Sequence, residues 1–341
     1  MAAHTAARPR PGVARSVGLL ACIAALAVAI ALSIAVGSAM LPLDVVWAAF
    51  ASPDGSVDHA TVADARVART LLGIAVGAAL GVSGALIQGL TRNPLADPGV
   101  LGVNAGAGFA VVLAVAAFGF TRIDQYLPFA FVGALAAAAL VYLVASGGRG
   151  APTPLRLTLV GVALGSVLTG ISQTLALIDV ETFDAMRFWG AGSIADRPQG
   201  TLDAIAPFLA AGLLLAAASA RGLNALALGD DTARALGAGV GATRILVVAA
   251  VTLLCGAATA AAGPIAFVGL MIPHIVRWAT GPDWRWIALF SALLGPAFVL
   301  LADTLGRVIV LPAELQVGIV AALVGAPVLI ALARTSRARA L

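Results

Sequence analysis

Long apolar runs dominate the chain, broken at intervals by short clusters of arginine, aspartate, glycine and proline. The runs are continuous and do not alternate, and a backbone in lipid must satisfy its own hydrogen bonds, so they predict membrane-spanning helices and not barrel strands. The first run follows Arg8, Arg10 and Arg15 and extends from Ser16 to Met40 and on to Leu43. Its apolar part exceeds the roughly 7–15 residues of a signal-peptide core, so it is read as span 1. Asp44 to Arg69 then makes a polar external loop with a short helix. The 22 residues between Arg69 and Arg92 carry no charge, and Gly73, Gly77 and Gly81 recur at every fourth position. That spacing lets helices approach closely and marks span 2 as central.

The breaks order the remaining spans. Within Gln88 to Gly108, Pro94 and Pro98 stop the helix, and Arg92, Asn93 and Asp97 shape a tight cytoplasmic turn. Span 3 runs to about Phe120, span 4 from about Tyr126 to Ala145, and span 5 from Leu157 to Ile178. Span 5 is the most polar, with Ser166, Thr169, Ser172 and Gln173. An external segment from Asp179 to Thr201 holds a short interfacial helix, and span 6 covers Asp203 to Ala220. Arg244 to Arg277 encloses 32 uncharged residues, too many for one helix. Gly263-Pro264 divides them into spans 7 and 8, either two full spans or a re-entrant hairpin. Span 9 ends at Asp303, Arg307, Pro312 and Glu314 form an external turn, and span 10 covers Leu315 to Ala333. The expected fold is all-α, a single polytopic membrane domain over residues 1–341 with about ten transmembrane helices and both termini cytoplasmic.

One interruption stands apart, Arg221 to Arg244, RGLNALALGDDTARALGAGVGATR. Asp230 or Asp231 is placed to cap a short helix, Thr232 to Leu236 supply its turns, and Gly237 offers a left-handed stop. A second short turn follows Gly239. The segment reads either as a compact helical knob outside the membrane or as a solvated loop between two spans.

Composition supports the membrane reading, at 61% hydrophobic and 11% charged against roughly 45–50% and about 25% in soluble domains. All 20 basic residues are arginine. The ten-span topology puts 14 of them inside and six outside, the asymmetry that the positive-inside rule requires. The net charge of +4 therefore reflects orientation and not nucleic-acid binding. Without lysine the chain can carry neither a GxxxxGK[ST] phosphate loop nor a Schiff base, so any ATP is hydrolysed by another subunit. Cys22 and Cys255 lie in apolar runs and read as small hydrophobes. His274 beside Pro273 reads as structural, with no metal site.

Several strings resemble the ABC-importer permeases for iron-siderophore, haem and cobalamin: Arg66-Val67-Ala68-Arg69, GALIQGLTRNPLADPGVLGVNAGAG, GDDTARALG, GPIAFVGLMIPHIVRW, and ADTLGR followed by AELQVGIVAALVGAP. The resemblance covers nearly the whole chain and departs at Ala68, where the family often has proline. It implies a ten-span permease of the bacterial cell membrane that pairs with a second permease, identical or related. Two ATPase subunits inside would supply ATP and Mg, with no cofactor in this chain, and an external binding protein would deliver cargo. By the same resemblance Arg66, Arg69 and Arg307 dock the binding protein, with local neutralisation by Asp64 and Asp303 as the alternative. Asp230, Asp231, Ala233, Arg234, Leu236 and Gly237 form the coupling helix within the 221–244 loop. Thr153, Ser166, Thr169, Ser172 and Gln173 line the pathway, unless their hydroxyls bond back to the helix. Asn93, Pro94 and Asp97 shape the inner turn and do not touch cargo.

Two rival classes need residues that the spans do not supply. An ion-coupled secondary transporter of a small metabolite needs ionisable groups at membrane depth, and only Asp303 lies near one. An intramembrane enzyme needs a nucleophile with its base, or a metal cluster.

Overall fold

Glycines and alanines set how closely the helices of this chain approach, and through that its architecture. The structure, a computed structural model, describes residues 11–120, 122–147 and 153–337; Arg8, Arg10, Arg149 and Arg339 lie outside them. In chain order the helices are α1 (Pro11–Ala35), α2 (Leu43–Ala51), α3 (Val57–Ala60), α4 (Val67–Thr91), α5 (Val103–Phe118), α6 (Ile123–Ser146) and α7 (Pro154–Ile178). They continue as α8 (Val180–Gly190), α9 (Thr201–Leu226), α10 (Asp230–Ala235), α11 (Val240–Ala262), α12 (Val268–Thr280), α13 (Trp284–Ile309) and α14 (Val317–Arg337). A π-helical stretch, Thr61–Arg66, leads into α4, and a 3₁₀ turn, Pro98–Leu101, precedes α5.

Seven of these helices are long and apolar enough to cross a membrane, namely α1, α4, α6, α7, α9, α11 and α13. The others expected to span, α5, α12 and α14, are shorter. With 13 residues, α12 reaches only about 20 Å, less than the roughly 30 Å hydrocarbon core. The break at Gly263-Pro264 is real: α11 stops at Ala262 and residues 263–266 are non-helical before α12 begins. Such backbone needs protein around it at membrane depth, and here Ser193 N–H donates to Ala262 O at 2.7 Å. The external loop holds α2 and α3, two short helices where one was expected, and α8 is the expected short helix after span 5.

Span 2 is central, as its glycines predict. Gly77 of α4 lies against the backbone of Pro296 in α13, with room for no Cβ: one built there would sit 2.5 Å from Pro296 Cα. Gly81 meets the Ser291 carbonyl the same way, and Gly84 packs directly on Gly269 of α12. Below this contact Gln88 Nε2 donates to the carbonyls of Gly269 and Leu270, at 3.1 Å each. Arg277 of α12 donates to Gln88 Oε1 at 2.9 Å, which locks the amide's orientation.

Two boundaries differ from expectation for a physical reason. Arg221 and Arg244 are helical, in α9 and α11, so the interruption contracts to residues 227–239 around α10. Helix α13 runs on to Ile309, which puts Arg307 inside the helix and not in an external turn, because its charge is satisfied within the protein.

The α4 contact predicts that Gly84→Ala lowers the melting temperature of the purified protein, the overpacking costing about 1–3 kcal/mol. Gly241→Ala is the control. Gly241 lies in the first turn of α11 with nothing within 4 Å of an added Cβ, so that variant melts with the parent.

Candidate functional site

The chemistry-bearing residues fall into three groups, one at each end of the bundle and one along its side. At the end expected to face the cytoplasm, α10 forms the knob that the sequence predicts. Gly237 adopts φ +79° and stops the helix: its N–H bonds Arg234 O at 2.9 Å, and Ala238 N–H bonds Ala233 O at 2.9 Å. Ala233 is fully buried and anchors the knob, while Leu236 and Leu228 are exposed beside it. Arg234 pairs with Asp231 at 2.9 Å on the open side.

The cap differs from expectation. Gly229 occupies the N-cap position and no side chain caps the helix. Asp230 turns away to two arginines, its Oδ1 accepting from Arg92 Nη2 at 2.5 Å and its Oδ2 from Arg244 Nη2 at 2.6 Å. Two nearby cations offer this carboxylate more than the first backbone N–H groups of a six-residue helix do.

Along the side, α7 and the turn before α5 enclose an open cleft of about 520 Å³ lined by Ser166, Thr169 and Gln173 together with Asp97, Gly99, Val100 and Gly102. Positions 166, 169 and 173 share one helical face. Ser172 does not: it is buried and donates to Leu168 O at 2.7 Å. Thr153 caps α7 through Arg156 N–H at 3.4 Å and stands apart from the cleft. Of the five pathway candidates, the structure brings together three.

A second cleft of about 560 Å³ is lined by Asn104, Pro264, Phe267, Gly318 and again Asp97. Asp97 shapes the turn as expected, its Oδ1 accepting from Gly99 N–H at 2.7 Å, and it also lines both clefts. Burial pushes its carboxyl above the usual range, against the Gly99 N–H that favours the charged form. Asn104 Oδ1 accepts from Thr259 Oγ of α11 at 2.8 Å. Asp97 and Asn104 were not legible as cleft residues, since the chain gives no sign that α7 and α14 flank the same turn.

At the opposite end, the three arginines expected to face a binding protein point inward. Arg307 is 1% exposed and Arg66 5%. Arg66 donates to the carbonyls of Ile34, Ala35 and Ala39 at 2.9, 2.9 and 2.7 Å. Arg307 donates to Ser33 O and Val36 O at 2.7 and 2.9 Å and pairs with Asp303 at 2.5 Å. Between them they satisfy the last carbonyls of α1, which have no partner within the helix and carry the negative end of its dipole. Arg69 bridges Asp303 at 2.8 Å and Glu314 at 2.7 Å. The i,i+4 pair of Asp303 and Arg307 was expected, whereas Arg69 finds its carboxylates on α13 and before α14, not at Asp64. Gly37 lies flat against the Arg66 guanidinium, 2.6 Å from a built Cβ, so no larger residue fits.

His274 is partly exposed and stands edge-on to Trp278, 6.3 Å between ring centroids. Among the described residues no group of three or more His, Cys, Asp or Glu is placed to hold a metal ion.

These features match known proteins over nearly their whole length. The profile of the FecCD transport family matches residues 25–335. The ferric enterobactin transport system permease protein FepD of Escherichia coli (strain K12) is 49% identical over 323 residues, 94% of this chain and 96% of that protein. The Fe(3+)-citrate import system permease protein YfmD of Bacillus subtilis (strain 168) is 40% identical over 83% of this chain and 84% of its own length. A solved structure of an ABC transporter in an inward-facing conformation superposes with a TM-score of 0.81 at 30% identity, covering 93% of this chain and 98% of that one. The chain belongs to the FecCD transport family and is a multi-pass permease subunit of an ATP-binding-cassette importer, with ATP hydrolysed on a separate subunit and cargo received from a binding protein.

Proposed function

We propose that the chain imports ferric siderophore complexes across the bacterial cell membrane as one of two permease subunits. The cargo reading rests on the 49% identity to a ferric enterobactin permease over 94% of the chain. The paired assembly is supported by α7, where Leu155, Leu159, Val162 and Leu177 are exposed on the same helix as the exposed Ser166, Thr169 and Gln173. Polar groups facing hydrocarbon are costly, and a second permease across a shared aqueous passage removes that cost. An identical or a related partner serves equally.

In this reading two ATPase subunits each hold one α10 knob from inside, through exposed Leu236, Leu228 and Asp231. Closure of the ATPase pair around nucleotide moves the knob, and the packed helices carry the shift toward the pathway as rigid bodies. The pathway face is Ser166, Thr169 and Gln173 with Asp97; Thr153 caps the start of α7 and Ser172 is buried behind that face. Against ion coupling, Asp303 is clamped between Arg69 and Arg307.

For the outer face, the reading shifts from contact to support. Arg66, Arg69 and Arg307 against Asp303 and Glu314 leave one unbalanced positive charge just beneath the surface. That charge favours an acidic lobe of a binding protein, while the arginines themselves hold the end of α1.

Three outcomes follow. Uptake by the reconstituted complex stops when ATP hydrolysis is blocked and persists when the proton gradient is collapsed; the reverse pattern would make the chain an ion-coupled transporter. Gly237→Val strains the left-handed stop and is expected to abolish ATPase co-purification while leaving the melting temperature of the spans unchanged, so normal co-purification and uptake would remove α10 from the joint. Arg307→Ala leaves Asp303 short of a buried partner and is expected to cost about 3–5 kcal/mol, seen as a lower melting temperature without any binding protein present. A variant that melts normally and loses only docking would return Arg307 to the surface role.

A further inference from the structure

Both carboxylate oxygens of Asp230 are hydrogen-bonded to arginines outside α10, with Arg234 of α10 itself 4.0 Å away. Its two partners lead to different elements. Arg92 is the residue at which α4 ends, held in the left-handed region at φ +51°. From it the chain passes directly through the Asn93 turn, where Asn93 Oδ1 accepts from Leu95 N–H at 3.0 Å, to Asp97. Arg244 stands in the first turn of α11 and is buried, its side chain 7% exposed. Four turns further along that helix, Thr259 donates to Asn104 at 2.8 Å. Both routes end at one place: Asp97 and Asn104 line the same cleft, and a Cβ built on Gly99 would sit 2.8 Å from Asp97 Oδ1 and 3.1 Å from Asn104 Nδ2.

We propose that Asp230 is a two-armed positioning residue that carries displacement of α10 to the pathway wall, through Arg92 into the 92–97 turn and through Arg244 into α11. The knob is continuous in sequence with α9 and α11 only; α4 packs on both of those helices, and the Arg92 arm gives its terminal turn a direct link to the knob. A carboxylate held by one cation from each side transmits both a push and a pull, since neither arm can swing free without leaving the other. The arm to Arg92 is the one open to test. The Arg92 side chain is 44% exposed, so its removal strips a solvent-screened pair and costs the fold little, whereas Arg244 is buried and structural.

The inference rests on the reading that an ATPase grips α10, and the experiment separates the two. The permease is reconstituted with its ATPase and binding protein in proteoliposomes, and iron-labelled siderophore taken up is measured per ATP hydrolysed. Arg92→Ala and Arg92→Gln are expected to co-purify with the ATPase and hydrolyse ATP as the parent does, while cargo per ATP falls about tenfold, the size found for residues along a coupling network. Arg92→Lys keeps a charge within reach of Asp230 in the same backbone conformation and restores most of the ratio. An unchanged ratio in Arg92→Ala overturns the relay. So does loss of ATPase binding in proportion to uptake, or an Arg92→Lys variant as poor as alanine. Gly237→Val, measured alongside, reports on the grip alone: if it retains both ATPase and uptake, the α10 reading fails whatever Arg92 does.

Discussion

Backbone-to-backbone contact between α4 and its neighbours is the constraint on which the rest of the structure depends. In lipid there is little hydrophobic gain in joining one apolar helix to another, so association relies on packing and on hydrogen bonds between helices. Gly77, Gly81 and Gly84 bring α4 onto the backbones of α13 and α12, where many weak contacts accumulate, and Gln88 closes the seam with bonds to the carbonyl of Leu270 and to that of Gly269, which Pro273 leaves without its i+4 donor. The non-helical stretch at 263–267 is sheltered by the segment after α8, where Gly263 and Pro264 meet the backbone of Trp189 and Gly192, which allows α12 to be short.

Charge is used at the two ends of that core for opposite purposes. At the outer end, arginines are drawn inward to satisfy the last carbonyls of α1 and to share Asp303 between two guanidinium groups. Each desolvated ion is costly alone, and the arrangement persists because every one of these arginines finds several acceptors. At the inner end the pairs are partly exposed and hold a small helix in place without burying it. The first arrangement fixes a helix terminus; the second leaves one able to move.

Much of this was legible in the chain. Continuous apolar runs and the placement of arginines yield the helices and their order, the four-residue glycine spacing marks α4 as central, and Gly237 marks the end of the knob. Local signals fail where a side chain chooses a partner distant in sequence. Asp230 looks like a helix cap until Arg92 and Arg244 arrive from other helices, and Arg66 and Arg307 look like surface charges until the end of α1 is set beside them. Ser172 and Gln173 are adjacent in the chain, yet one is buried and the other exposed to the cleft, which periodicity alone resolves only once the neighbours of α7 are known. Asp97 escaped for the same reason, since a turn residue becomes a cleft residue only when two other elements close on it.

The wall that α7 and the preceding turn present to the cleft includes Gly99, Gly102, Gly161, Gly165 and Gly170. Bare backbone offers a passing solute shape and little else, with few side chains to clasp one chelator and reject another. In the proposed pathway, discrimination would then belong to the binding protein that delivers the solute, and the wall would serve as a smooth surface from which release is fast. A bacterium that acquires a new delivery protein can thus gain a new nutrient without rebuilding the conduit.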